Sequence, residues 1–330
     1  MKNNLNKFFY FQNKKKILFT PGPASLLAEN ISSLQPCFGR GDPIYEKLEN
    51  NVLNRIKRLS GHTYIARMQG SASFALEIMI LNFLYGRVLV IKTGVYSDRL
   101  YSMCKSSMSL YKNITKIEYI DHKSMNNISS KFDWIIGCPV ETSIGYKIPI
   151  ENLYALKKKL NSKLALDATA SIGLEKNHDL SDVAAFSSCK GLFGLTGASF
   201  IVFNKKNNNK IHQFNLDIDS HLMKKMTGPY HAICSLNDVL KKYQDFKYSV
   251  KINKNYCLKK MGNNLVYSIK NQPYLCTLLN KKVIKKSKKV ILYQSRGDID
   301  GSIVCHLGEV HLKRKSRGKI LDSIYLKNSI

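Results

Sequence analysis

The chain has 330 residues, 44% of them hydrophobic, enough for a full core and, at about 150 residues per domain, for two domains. Its 52 Lys and Arg against 23 Asp and Glu give a formal net charge of +29. Lysine and asparagine fill loops throughout, as at 205–210 and 285–289, with no zinc-finger spacing, RNA-binding motif or heptad repeat. The charge is therefore read as a compositional bias rather than a nucleic-acid footprint, although it raises the local concentration of small anions. No apolar run approaches the ~20 residues needed to cross a bilayer, and the aromatic patch Phe8–Phe11 is too short for a signal-peptide core. A cytoplasmic protein without a membrane partner is expected. The eight cysteines stand singly, which argues against a disulfide framework and against zinc.

In chain order, Asp42-Pro43 forms a cap and first-turn pair for a helix whose apolar face carries Leu48, Val52, Leu53 and Ile56. Short apolar, β-branched runs then alternate with helical patterns. Strands are expected at Tyr64–Gln69, Arg87–Lys92, Lys116–Ile120, Trp134–Val140, Leu164–Ala168, Val183–Ser187 and Ser199–Asn204. Between them, Ser73–Leu84 is apolar nearly all round and reads as a buried helix, and Glu151–Leu160 is amphipathic. Tyr230–Tyr243 is a further helix. Beyond it come strands at Val290–Tyr293 and Ser302–Leu307 and a last helix near Lys313–Tyr325. The alternation predicts an α/β domain with a mostly parallel seven-stranded sheet over residues 1–245, its N-terminal arm included, and a smaller α+β domain over 246–330.

Four features fall at the C-terminal ends of predicted strands, where open α/β sheets place ligands. Gly70-Ser71-Ala72-Ser73 leads from a strand into a helix, a turn whose free N–H groups and helix dipole suit a phosphate. Tyr96, after Thr93-Gly94, offers a ring on which a flat heterocycle would stack. Asp167 ends an apolar strand, where a buried carboxylate calls for a cation; a protonated ring nitrogen is one such partner. Lys190, in Ser187-Ser188-Cys189-Lys190-Gly191, follows a buried strand, and a partly desolvated amine there loses its proton more readily. Each feature alone has a bland reading: a common Gly/Ser turn, a packed turn tyrosine, a capping aspartate, a solvated lysine. Their order and spacing set them apart.

The ordered set Gly-Ser-x-Ser, aromatic, Glu-Thr, Asp, Ser-Ser-x-Lys resembles the class V aminotransferases of the fold-type I pyridoxal-phosphate family. The likeness runs from Leu18-Phe19-Thr20-Pro21-Gly22-Pro23 to Gly308-Glu309-Val310. Val140-Glu141-Thr142-Ser143-Ile144-Gly145 is similar to the family's segment beside the cofactor ring. Lys190 with Gly194 and Gly197 has the glycine spacing of the aminoethylphosphonate branch.

The resemblance implies pyridoxal 5'-phosphate bound to Lys190 as a Schiff base. It places Asp167 on the ring nitrogen, Tyr96 on the ring face and Thr142 at the ring edge. Ser71, Ala72 and Ser73 would hold the phosphate, with Ser188 on the cofactor side. Thr227, in Thr227-Gly228-Pro229, would reach the partner's phosphate in a homodimer with shared active sites. It further implies amino transfer between 2-aminoethylphosphonate and pyruvate, with alanine– or serine–glyoxylate transfer and a cofactor-binding relative without turnover as alternatives. The chain departs from the family at Ile303, where an acceptor-binding arginine stands. A guanidinium contact is not replaced by an alkyl group. Arg40 and Arg296 are the candidates to take that part.

Overall fold

The central apolar runs become strands because their side chains are buried on both faces; Trp134–Gly137, Val183–Ser187 and Ala198–Phe203 are buried throughout, whereas the edge strand Ile114–Asp121 is half-buried or exposed over most of its length. The computed structural model describes residues 2–34, 41–206, 209–312 and 314–327. Its main sheet has seven strands in the order Tyr64–Gln69, Ala198–Phe203, Val183–Ser187, Lys163–Asp167, Trp134–Gly137, Gly86–Lys92 and Ile114–Asp121. Only Ala198–Phe203 runs against its neighbours; the other pairs are parallel. These are the seven predicted strands, with one shortened. Trp134–Gly137 stops short of Val140, because Pro139 has no N–H to donate and the chain turns into a small ladder of Val140–Glu141 with Tyr146–Lys147.

Alternation divides the sheet's side chains between two cores. Val88, Val90, Trp134, Ile136 and Ala165 face the helix Ala72–Phe83. Leu89, Ile91, Ile135, Leu164 and Leu166 face the helices Pro43–Ser60, Ile150–Leu160 and Tyr230–Lys241. Burial of the Ala72 helix on nearly all sides explains its all-round apolar sequence. The Pro43 helix starts as expected: Asp42 accepts the N–H groups of Ile44 and Tyr45, and Gly61 ends it with φ 74°.

The helix Tyr243–Met261 crosses residue 245, and beyond it lie two-stranded ladders. Cys276–Leu279 pairs with Ser302–Cys305, and Val283–Lys285 with Ile324–Leu326. Ile17–Phe19, near the N-terminus, pairs with Val290–Leu292, so Phe19 joins Met261, Val283, Val290 and Val304 in a third core. The last helix is only Arg314–Ile320, since the chain then extends into the Ile324–Leu326 strand. A helix at Lys2–Asn13 was not expected from the sequence. Among the described residues, no helix is long and apolar enough to cross a membrane.

Candidate active site

Parallel strands end at one edge of a sheet, and the predicted residues gather there. Asp167 closes its strand beside the strand that leads to Lys190, with Asp167 level with Ala185. The loops holding Tyr96 and Thr142 leave the same edge after Gly86–Lys92 and Trp134–Gly137. Gln69 lies opposite Ala198, which brings the Gly70–Ser73 turn to that edge as well.

The side chains meet around Tyr96. Lys190 Nζ lies 5.8 Å from the centre of the Tyr96 ring, and the Arg99 guanidinium carbon lies 5.0 Å from it. Arg99 Nη2 donates to Asp167 Oδ2 at 3.3 Å and Nη1 donates to Ser73 Oγ at 3.0 Å. Asp167 is 2% exposed and its Oδ1 accepts the Thr169 N–H at 3.0 Å. A single arginine thus joins three residues singled out in the sequence. At the N-terminal side, Gly22 has φ 140°, and a Cβ on it would stand 2.9 Å from Lys190 Cγ. The chain passes that close to the lysine stem only with glycine there.

Glu141 fixes the angle of the Tyr96 helix. Its carboxylate, fully buried, accepts the N–H groups of Tyr96 (3.2 Å) and Ser97 (3.3 Å), the Thr93 hydroxyl (3.3 Å) and the Ser143 N–H (3.3 Å). An anion at a helix N-terminus is the favourable sign. Burial nonetheless pushes the Glu141 carboxyl up, with the bonds from Ser143 and Ser97 opposing it. Because Thr142 is the next residue, the same carboxylate ties the Thr142 loop to Tyr96.

Several buried polar atoms here make no well-formed protein hydrogen bond: Thr142 Oγ1, Thr169 Oγ1, Tyr293 OH and Arg99 Nε. Tyr293 comes from the C-terminal part of the chain, and its phenol, pushed up mainly by burial, lies beside Tyr96 and Thr142. Buried polar groups in folded chains are ordinarily satisfied, so hydroxyls left open around a lysine and an aspartate suit a polar ligand. Ser71, which precedes the Ala72 helix, spends no side-chain bond on capping it, and the first N–H groups of a helix have no acceptor within it. The donor set fits a phosphorylated pyridine: open N–H groups at one end, a carboxylate for the ring nitrogen, an aromatic face and a lysine.

Other predicted residues lie apart. The Ser188 hydroxyl is engaged within its own loop, donating to the carbonyls of Leu195 and Ala198. Thr227 is exposed in a groove of about 360 Å³ lined by Gln69, Thr196, Gly197 and Tyr230. Arg296 is exposed, next to Ser295, whose hydroxyl donates to the Ser143 carbonyl. Arg40 lies outside the described residues. Ile303 is buried opposite Leu278 in its ladder, part of the core. Arg99, Glu141 and Tyr293 were not named as site residues from the sequence. Arg99 was within reach: three residues after Tyr96 on a helix, it shares that residue's face.

No family model matches the chain. Its curated relatives include the 2-aminoethylphosphonate–pyruvate transaminase of Pseudomonas aeruginosa, 25% identical over 256 residues that take in 69% of this chain and 68% of that protein. The enzyme of the same name from Pseudomonas putida is 26% identical over 257 residues, 69% of each chain. Among solved structures, an aspartate aminotransferase of Thermus thermophilus superposes with a TM-score of 0.78 at 16% identity, covering 92% of this chain and 97% of that one. An alanine–glyoxylate aminotransferase from Nostoc gives 0.75 at 17% identity, over 93% and 94%. The fold is that of a fold-type I aminotransferase. Sequence relatives and structural neighbours alike are aminotransferases, in keeping with the resemblance read from the motifs.

Proposed function

We propose that this fold-type I protein is a pyridoxal-phosphate-dependent aminotransferase with Lys190 as its catalytic lysine, moving an amino group between 2-aminoethylphosphonate and pyruvate. The observation that carries the reading is the meeting of Lys190, Tyr96, Asp167 and Ser73 at one sheet edge. Bound there, pyridoxal phosphate would supply an electron sink for the carbon bearing the substrate nitrogen.

The chain's residues do the rest. Asp167 would accept a hydrogen bond from the protonated ring nitrogen, and its burial would make that charge pairing strong. Tyr96 stacks on the ring, held by Glu141. Ser71, Ser73 and the open N–H groups of Ser71–Ser73 would hold the phosphate, and Thr142 would contact the ring edge. Ser188, its hydroxyl bonded to the Leu195 and Ala198 carbonyls, would hold the Lys190 loop in shape. Lys190 would hold the cofactor and, as a free amine, would move a proton to and from the substrate carbon. Thr227, exposed in its groove, would complete the phosphate site of a second subunit in a homodimer.

The substrate assignment draws on the names of the sequence relatives and on the cationic surface, which favours a phosphonate. With Ile303 in the core, the acid group of the acceptor needs another cation. Arg296, beside the Ser295–Ser143 contact and so next to Thr142, is the first choice, and Arg40 the second. A glyoxylate-type reading has the likeness to alanine–glyoxylate aminotransferase in its favour.

The test is to offer 2-aminoethylphosphonate, alanine or serine singly to the cofactor-loaded protein without an acceptor and follow the cofactor's visible absorbance. Bleaching by the phosphonate alone, reversed by pyruvate, is expected. Bleaching by alanine or serine but not by the phosphonate overturns the substrate assignment.

A further inference from the structure

The cradle has two ends that a bound cofactor must satisfy together, the hydroxyl and N–H groups of the Ser71 turn and the carboxylate of Asp167. In this chain they are linked by one side chain. Arg99 stands on the helix Val95–Tyr111, one turn from Tyr96, and its two terminal nitrogens separate onto Ser73 Oγ at 3.0 Å and Asp167 Oδ2 at 3.3 Å. Its Nε is buried and without a protein partner, and its guanidinium carbon lies 5.0 Å from the Tyr96 ring centre. The arginine therefore touches the phosphate end, the nitrogen end and the stacking platform at once.

We infer, on the basis of the proposed function, that Arg99 is a positioning residue that joins the two ends of the cofactor cradle, so that phosphate and ring nitrogen are held as one unit. Three features support this. First, a buried carboxylate needs a cation, and Arg99 is the ion-pair partner of Asp167 among the described residues. Second, a planar fork with donors on separate nitrogens spans two acceptors that lie apart, which a single ammonium does not. Third, the helix that carries Arg99 also carries Tyr96, and Glu141 locks its first turn, so the arginine is aimed by the same element that sets the stacking face. The remaining open nitrogen, Nε, is a donor still to be satisfied, and a phosphate oxygen beside Ser73 is an acceptor of the right kind.

The experiment measures uptake of pyridoxal 5'-phosphate and of pyridoxal by equilibrium dialysis on the full chain, with Arg99→Met, Arg99→Lys, Ser73→Ala and the double variant Arg99→Met/Ser73→Ala. Arg99 is partly exposed, so the lower end of the effect of a charge-assisted bond is expected: Arg99→Met weakens pyridoxal 5'-phosphate about tenfold, and pyridoxal less. Arg99→Lys falls between, since it restores one contact of two. The double variant is weaker than Arg99→Met by a smaller factor than Ser73→Ala costs in the wild type, because the Arg99–Ser73 contact is lost only once and what remains to lose is the Ser73 hydroxyl's own bond to the phosphate. Equal affinity in wild type and Arg99→Met, or independent multiplying effects of the Arg99 and Ser73 changes, overturns the inference. If Arg99→Met does not fold, the same comparison is made between Ser73→Ala and Arg99→Lys, with non-additivity again required. A wild-type chain that takes up no cofactor overturns the functional reading instead, which separates the two failures.

Discussion

The cluster behind the Thr227 segment permits a worked prediction. Arg67 and Glu49 form an ion pair at 2.8 Å with side chains only 5% and 2% exposed. Glu49 also accepts the Tyr45 hydroxyl at 3.3 Å and an ammonium proton of Lys224, which is 39% exposed. A Cβ on Gly228 would stand 2.6 Å from Arg67 Cζ, so the guanidinium is the floor on which the segment 227–229 rests.

Glu49→Gln removes the carboxylate from both cations, but Lys224 can turn to water and Arg67 cannot. Leaving one charge of a buried pair without its partner costs about 3 to 5 kcal/mol. At an unfolding entropy of about 2.1 cal/mol/K per residue over the whole chain, the midpoint should fall by about 4 to 7 °C. Arg67→Met leaves Glu49 with Lys224 and Tyr45 and should cost less. The double variant Glu49→Leu/Arg67→Met should recover most of the loss, because no buried charge remains. Differential scanning calorimetry on the four proteins decides it. Arg67→Met as damaging as Glu49→Gln, or a double variant worse than either, would refute the reasoning.

Two further outcomes follow from buried groups. Burial pushes the Glu309 carboxyl up to about 7, against the Leu18 N–H that lowers it, while His311, 3.7 Å away, is pushed down to about 4 and stays neutral over this range. Between the unfolded value near 4.5 and about 7 the folded chain keeps a proton that the unfolded chain has released, so stability falls as pH rises through that window. Urea unfolding at pH 5 and pH 8 should show wild type losing up to about 3 kcal/mol more than Glu309→Gln, and equal losses would contradict this. Thr142→Val removes a hydroxyl that has the Tyr293 phenol beside it but makes no well-formed protein hydrogen bond, so the midpoint should change little while cofactor affinity drops about threefold to tenfold. A drop in stability without change in affinity would place that hydroxyl in the scaffold instead.

The central strands were legible in the sequence because strands buried on both faces read as unbroken apolar runs, and the Ala72 helix because it is buried on nearly all sides. Asp167 and Lys190 stood out because a carboxylate and an amine at the ends of such strands need a reason to be there. Arg99 did not, since one arginine among so many cations says nothing until its helical phase against Tyr96 is known. Tyr293 was invisible as a site residue because only tertiary packing brings the C-terminal segment to Thr142. The N-terminal helix was missed because Lys2–Asn13 mixes lysine, asparagine and exposed aromatics without a clear apolar stripe. The last helix read too long because Gly318, set close against the Tyr256 ring, does not end it, whereas the pairing of Ile324–Leu326 does, and that pairing is non-local.

The measurement that tests the central claim most directly is borohydride reduction of the cofactor-loaded protein, followed by digestion and mass spectrometry to find the lysine that carries the cofactor. In a chain this rich in lysine the result is discriminating. The account predicts the label on Lys190 alone, and its absence in Lys190→Ala. A label spread over surface lysines, fixed on another single lysine, or missing altogether would contradict it.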